Sequence, residues 1–208
     1  MVVDGRILLD GGAPLLPHMS RLGIDPAGIE VVFISHFHGD HVLGLPPFLL
    51  HRALVGGGPL RVVGGAGIEG KVMQLLDLAW AGEWSTLSQR FDLSFEEARG
   101  YGEVCGMAYE PVALDHGRIG CTGFRIKVGD RLLAYAGDSE ATPPLDQLVQ
   151  GADIAIVEAT APGEVHSHTS WEDAHRLRDR HPQTRFFFNH IYAGELDGSV
   201  NDLQSVDV

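Results

Sequence analysis

The sequence predicts an α/β protein, on three observations. Apolar runs of strand length alternate with segments whose apolar residues recur at helical spacing. Asp-Gly and Gly-Asp dipeptides separate pairs of such runs, as hairpin turns do. Residues with chemistry to offer fall just after the C-terminal ends of the apolar runs, where a rigid scaffold presents catalytic groups.

Taken in order, "VVDGRILLD" reads as a short strand, an Asp-Gly turn and a second strand ending at Asp10. Pro14 to Leu22 suits a short helix, "IDPAGI" a loop, and "EVVFIS" from Glu30 to Ser35 a buried strand that delivers His36. Pro46 and Pro47 suit the start of a helix through Ala53. Val72, Leu75, Leu76 and Ala79 give Lys71 to Ala79 a helical stripe. "TGFRIKV", Gly129-Asp130 and "RLLAYA" form a hairpin with a two-residue turn, and its second strand runs into Asp138. "DIAIVEA" is a buried strand ending at Glu158. Ser170 offers an N-cap to a helix striped by Trp171, Ala174 and Leu177, which His181-Pro182 stops before "RFFFNH" brings in His190.

A chain of 208 residues with 44% apolar content can bury a full core, and its length suits a single domain over 1–208. No apolar run of membrane-spanning length and no basic-then-apolar leader is visible, so the expected setting is cytoplasmic, with no membrane partner. Cys105 and Cys121 are too few for a disulfide framework or a thiolate metal site. A formal charge of −13 argues against a large polyanion docked by charge alone. Gly56 to Gly58 and Gly64 to Gly67 read as loops.

The stretch "FISHFHGDHVLGLP" places His36, His38, Asp40 and His41 within six residues. His36 and His38, two apart in an extended loop, project to one side and can reach one cation, while Asp40 and His41 can turn toward a second. Imidazole and carboxylate without thiolate suit a catalytic Zn²⁺ with an open position better than a closed structural site. Taken singly, a buried His is more often a satisfied core residue and an Asp a cap. Four such residues directly after a strand set that reading aside.

"GIDPAGIEVVFISHFHGDHVLGLPPFLL" resembles the signature loop of the metallo-β-lactamase fold, and its Gly44-Leu45-Pro46 tail is most similar to the ribonuclease Z and phosphodiesterase branch. The likeness continues in order through Asp10, His116 in "LDHGRIGCTGFRI", Asp138 in "YAGDS", Glu158 in "VEAT", His168 in "HTS" and His190 in "FFFNHIY", nearly the whole chain. It implies a four-layer αββα sandwich of two mixed β-sheets, with the ligand-bearing loops at one edge.

The resemblance also implies a dinuclear zinc hydrolase. His36, His38 and His116 would hold one ion, Asp40, His41 and His190 the other, and Asp138 would bridge them. Mn²⁺ or Fe²⁺ could replace Zn²⁺. Asp10 would orient the ligand loop from behind, although a turn residue before Gly11-Gly12 is the plainer reading. The catalytic residues implied are His168 held by Glu158, as proton donor to a leaving alkoxide, and Asp40 beside its role as ligand. Alone, His168 would read as a surface histidine and Glu158 as a strand-end carboxylate, and His166 is the rival donor. His18, His51, His175 and His181 read as surface histidines.

The region after His116 lacks the Thr-Pro-Gly-His-Thr run of glyoxalase-like thioesterases and lactonases, and His38 stands where the flavo-di-iron branch has Glu. Both departures favour phosphodiester hydrolysis over the alternative, a carboxyl-group hydrolase acting on a lactone, thioester or β-lactam. A third class, a binding module without turnover, is disfavoured by the complete ligand set. True ribonuclease Z grips tRNA with a basic arm. The insert from Val42 to Glu110 instead holds five basic against eight acidic residues, a balance of −3. The expected substrate is therefore a small phosphodiester or short nucleic acid. The short first strand leaves an exposed edge that suits a homodimer.

Overall fold

The computed structural model describes residues 1–192, Gly194, 196–200 and Gln204. The chain divides into two compact units, Met1–Arg99 and Gly100–Val208, each built on one β-sheet.

The first unit runs β1 (Val2–Val3), β2 (Ile7–Leu9), α1 (Leu15–Arg21), β3 (Val31–Ile34), α2 (Gly39–Val42), α3 (Leu45–Val55), β4 (Leu60–Gly64), α4 (Ile68–Trp80), α5 (Trp84–Leu87) and β5 (Leu93–Glu97). Its five strands lie in sequence order; β1 pairs antiparallel with β2, and the rest are parallel. Asp4 and Gly5 turn the first hairpin, both at positive φ, as the Asp-Gly dipeptide requires. All four residues of β3 are buried. Such two-sided burial is why a parallel strand reads as a continuous apolar run rather than an alternating one. Leu8, Val32, Ile34, Leu60 and Val62 pack with Met19 of α1, Leu45, Phe48 and Leu49 of α3, and Ile68, Val72 and Leu76 of α4.

The second unit runs β6 (Gly102–Val104), β7 (Met107–Leu114), β8 (Cys121–Val128), β9 (Arg131–Tyr135), α6 (Pro143–Val149), β10 (Ile154–Glu158), α7 (Trp171–Arg180) and β11 (Arg185–Asn189). The sheet order is β11-β10-β9-β8-β7-β6, parallel from β11 to β9 and antiparallel from β9 to β6. Both sheets are thus mixed, as expected. Pro111 is tolerated within β7 because pairing with β6 stops at Tyr109, leaving Pro111 at a free edge. Ser170 caps α7 through Asp173 N–H, and Ala174 and Leu177 pack with Ala155, Val157, Phe186 and Phe188.

Three expectations need revision. "IDPAGI" contains a 3₁₀ turn, Pro26–Gly28, capped by Asp25. Val42 to Glu110 is no insert: it supplies β4 and β5 to the first sheet and β6 and the start of β7 to the second. His18, His51, His175 and His181 are half-buried rather than fully exposed, and the His175 ring lies 6.0 Å from that of Phe188. Among the described residues no helix is long and apolar enough to cross a membrane.

Candidate functional site

In the first unit, β2 delivers Asp10 and β3 delivers Ser35 and His36. Asp10 takes a left-handed backbone, φ 54°, which a short polar side chain tolerates, and its N–H donates to Phe33 O at 2.9 Å. Its carboxylate, 6% exposed, accepts Ser35 N–H at 2.7 Å on Oδ1, and Ser35 Oγ–H at 2.6 Å and His41 Nδ1–H at 2.7 Å on Oδ2.

Proton positions follow from those contacts. A carboxylate only accepts, so the single Ser35 hydroxyl proton is committed to Asp10. At the 3.0 Å contact between Ser35 Oγ and His36 Nδ1 the ring must therefore be the donor. His36 and His41 thus both carry their proton on Nδ1 and keep the lone pair on Nε2. The rings of His38 and His41 lie 4.7 and 4.1 Å from that of His36. Asp40 sits in α2 with Oδ2 3.5 Å from His41 Nε2.

Glycines hold this loop close to β2. Gly11 N–H donates to His41 O at 2.6 Å, and Gly44 N–H to Gly11 O at 2.8 Å. A Cβ on Gly12 would meet the Asp40 carbonyl oxygen at 1.8 Å, and one on Gly44 would meet Gly12 O at 2.5 Å. Only glycine lets the two backbones pass so closely.

In the second unit, β7 leads to His116, β9 to Asp138, β10 to Glu158 and β11 to His190. His116 Nδ1–H donates to the Ser167 carbonyl at 2.7 Å, which again leaves the lone pair of the ring on Nε2. Glu158 is fully buried. Its Oε1 accepts Ser139 N–H at 2.5 Å, and its Oε2 accepts Thr160 Oγ1–H and His168 Nδ1–H, the latter at 2.8 Å. His190 places Nε2 3.4 Å from Asp138 Oδ2 and Nδ1 3.4 Å from Glu158 Oε2. The His168 ring stacks on His190 at 5.4 Å and meets His116 edge-on at 4.9 Å. One ligand atom from each of Asp138, Glu158, His168 and His190 lies within 4.8 Å of the others. The exposed Tyr192 brings its hydroxyl to 3.4 Å from His190 Nε2.

Electrostatics tie Glu158 to His168. Burial pushes the Glu158 carboxyl up, but hydrogen bonds from His168, His190 and Thr160 outweigh it and hold the group below its usual range. His168 moves the other way: its hydrogen bond to Glu158, against burial, holds its pKa above the ordinary imidazole value. Each shift favours the charged pair.

The donor set fits divalent cations. Imidazoles turned to present Nε2, with buried carboxylates and no thiolate, are what borderline to hard ions such as Zn²⁺ or Mn²⁺ take. The fixing of Nδ1 by carboxylate, hydroxyl or carbonyl oxygen is the usual orientation of ligating imidazoles. Sequence reasoning did not single out Ser35, Ser139, Thr160, Ser167 or Tyr192. A hydroxyl or main-chain carbonyl two strands away leaves no spacing signal; only adjacency to His36, Asp138, Glu158, His168 and His190 marks them.

The chain belongs to the beta-lactamase superfamily: residues 5–191 match the model described as "Beta-lactamase superfamily domain". A ribonuclease Z from Limosilactobacillus fermentum is 28% identical over 94% of this chain and 83% of its own length. Among solved structures, the short form of human tRNase Z matches with TM-score 0.75 and 20% identity, over 92% of this chain and 84% of that one. The Bacillus subtilis metallo-β-lactamase fold protein YhfI matches with TM-score 0.73 and 18% identity, over 92% and 77%. The metallo-β-lactamase fold expected from the sequence is therefore the fold of this chain.

Proposed function

We propose that this chain is a metal-dependent hydrolase, a phosphodiesterase that uses two Zn²⁺ ions, with Mn²⁺ or Fe²⁺ as alternatives. His36, His38 and His116 hold one ion, Asp40, His41 and His190 the other, and Asp138 is shared. When bound, such an ion pair lowers the pKa of water and stabilises charge developing on phosphoryl oxygens. The chain's own residues do the rest. Asp10 orients His41 directly and His36 through Ser35, and Ser167 orients His116. His168, charged by Glu158, donates its proton to the leaving oxygen, which an alkoxide needs in order to depart. Asp40 belongs to the catalytic set as well as to the ligands.

The observation that supports a phosphodiesterase is the His168–Glu158 pair at 2.8 Å beside Asp138 and His190. Hydrolysis of an acyl group with a good leaving group has less use for a fixed imidazolium. The ribonuclease Z name of the relatives points the same way. The formal charge of −13 makes a small phosphodiester or short nucleic acid the better substrate than tRNA gripped by charge. A cytoplasmic setting and a homodimer paired along the two-residue edge strand β1 complete the reading. The test is turnover of a chromogenic bis-aryl phosphate beside a lactone, a thioester and a β-lactam by the zinc-loaded protein. Preference for an acyl substrate would overturn the phosphodiester assignment and leave the hydrolase.

A further inference from the structure

Residues 160–170 link β10 to α7 and close on themselves. Thr160 N–H donates to Thr169 O at 2.9 Å, Trp171 N–H to Ala161 O at 3.0 Å, and His168 N–H to Val165 O at 3.2 Å. Thr169 Oγ1–H donates to Ser139 O at 2.7 Å and anchors the loop beside Asp138. The loop is therefore tied to itself and to the residue after Asp138. Two consecutive residues at its tip then do different things. Ser167 turns its carbonyl onto His116 Nδ1, and His168 turns its ring onto Glu158.

That arrangement depends on the backbone of Ser167, which lies in the left-handed region at φ 67°. A non-glycine residue there is uncommon, and the strain must be offset by its surroundings. Its hydroxyl lies close against Gly117, where an added Cβ would meet Ser167 Oγ at 2.7 Å. In an ordinary right-handed or extended conformation the Ser167 carbonyl would point elsewhere, and His116 and His168 would lose their settings together.

Resting on the metal centre argued above, we propose that Ser167 is a positioning residue that couples ion binding at His116 to placement of the proton donor His168. An ion on His116 Nε2 makes Nδ1–H a stronger donor to the Ser167 carbonyl, because ligation withdraws charge from the ring. The strengthened bond holds the left-handed turn, and the turn holds His168 against Glu158. The donor is thus set firmly in the ion-loaded protein, and a Ser167 carbonyl turned away from His116 costs the ion a well-oriented ligand.

Two measurements test this without relying on turnover. Zinc affinity is read by competition with a chromogenic chelator for wild type, Ser167→Gly and Ser167→Val. Glycine accepts positive φ and should bind as wild type does. Valine, β-branched, resists it and should bind roughly 10-fold or more weakly, the lower end of the effect of losing a ligand's outer partner. Because Ser167→Val could fail to fold, amide hydrogen exchange of residues 160–170 is followed in wild type and His116→Ala with and without zinc. Protection at His168 and Thr169 should rise on zinc addition in wild type and not in His116→Ala. Equal affinities for folded glycine and valine variants, or protection indifferent to zinc or to His116, would overturn the coupling. A chain that binds no divalent ion would sink the metal centre and the coupling together. Zinc binding with no phosphodiester turnover would sink only the substrate.

Discussion

Nδ1 of His168 lies 2.8 Å from Oε2 of Glu158, a carboxylate with no exposed surface that also takes the Ser139 amide and the Thr160 hydroxyl. The bond holds the imidazole through Nδ1, and in the proposed reaction Nε2 is the atom that protonates the leaving oxygen. Replacing His168 by Ala should lower turnover of an alkyl phosphodiester by roughly 10²–10⁴-fold, the range for losing a general acid, and spare an aryl ester with a good leaving group. Parallel kinetics on the two esters decide it, with metal content unchanged. Equal losses on both would make His168 a binding or ligand residue instead. Glu158→Ala should act in the same direction, more weakly.

Asp138 is assigned to both ions. Metal analysis of the purified wild type should find close to two divalent ions per chain, and Asp138→Ala should lose or loosen both. One ion held firmly in each protein would contradict the shared role.

Asp10 touches no substrate in this reading, yet Asp10→Asn should weaken zinc binding by about 10–100-fold, as loss of an outer ligand partner does. An amide cannot accept three donors as a carboxylate does, so His41 and Ser35 lose their fixed proton positions. Chelator competition measures the effect, and unchanged affinity would return Asp10 to a plain turn residue.

Gly12→Ala drives a methyl group into the Asp40 carbonyl, 1.8 Å away, where no flexible side chain can yield. A loss of about 1–3 kcal/mol, the usual cost of overpacking, should appear in the urea midpoint. Zinc affinity should fall with it, because the displaced backbone carries Asp40 and His41. A fully stable variant would show that the loop has room to shift.

Asp146 supplies a pH dependence away from the site. Burial pushes its carboxyl up, but hydrogen bonds from Arg180 at 2.7 Å and His181 at 3.2 Å hold it below the usual range. The folded value lies under the unfolded one, so the contribution is present above about pH 4 and is lost as pH falls through the folded value. The carboxylate is 40% exposed and therefore screened, so Asp146→Asn should cost only about 0.5 kcal/mol near neutral pH. Urea midpoints of the two proteins should converge as the solution is acidified. A difference that grows with acid would reverse the assignment.

What the sequence determined alone is local. Continuous apolar runs such as "EVVFIS" and "DIAIVEA" mark strands buried on both faces, and they locate Ser35–His36 and Glu158 at strand ends. The Asp-Gly and Gly-Asp turns and the Ser170 cap are equally legible, because turn and cap chemistry acts within a few residues. The crowding of His36, His38, Asp40 and His41 announces metal chemistry through neighbours in the chain. Where periodicity is weak the sequence is silent: β4 and β5, within Val42 to Glu110, are strands of five residues that carry little pattern.

Other features exist only once strands from distant parts of the chain pair. Parallel pairing of β2 with β3 brings Asp10 to Ser35, 25 residues on, and only then is the proton of His36 assigned. Parallel pairing of β10 with β11 puts Glu158 level with Asn189 and so beside His190, and the closed loop after β10 sets Ser167 on His116, 51 residues away. Main-chain carbonyls and single hydroxyls do this orienting, and they carry no residue signature, since every residue has a carbonyl. Tertiary structure alone decides which of them meets an imidazole, because hydrogen bonding demands contact within about 3 Å and strand pairing is what supplies it.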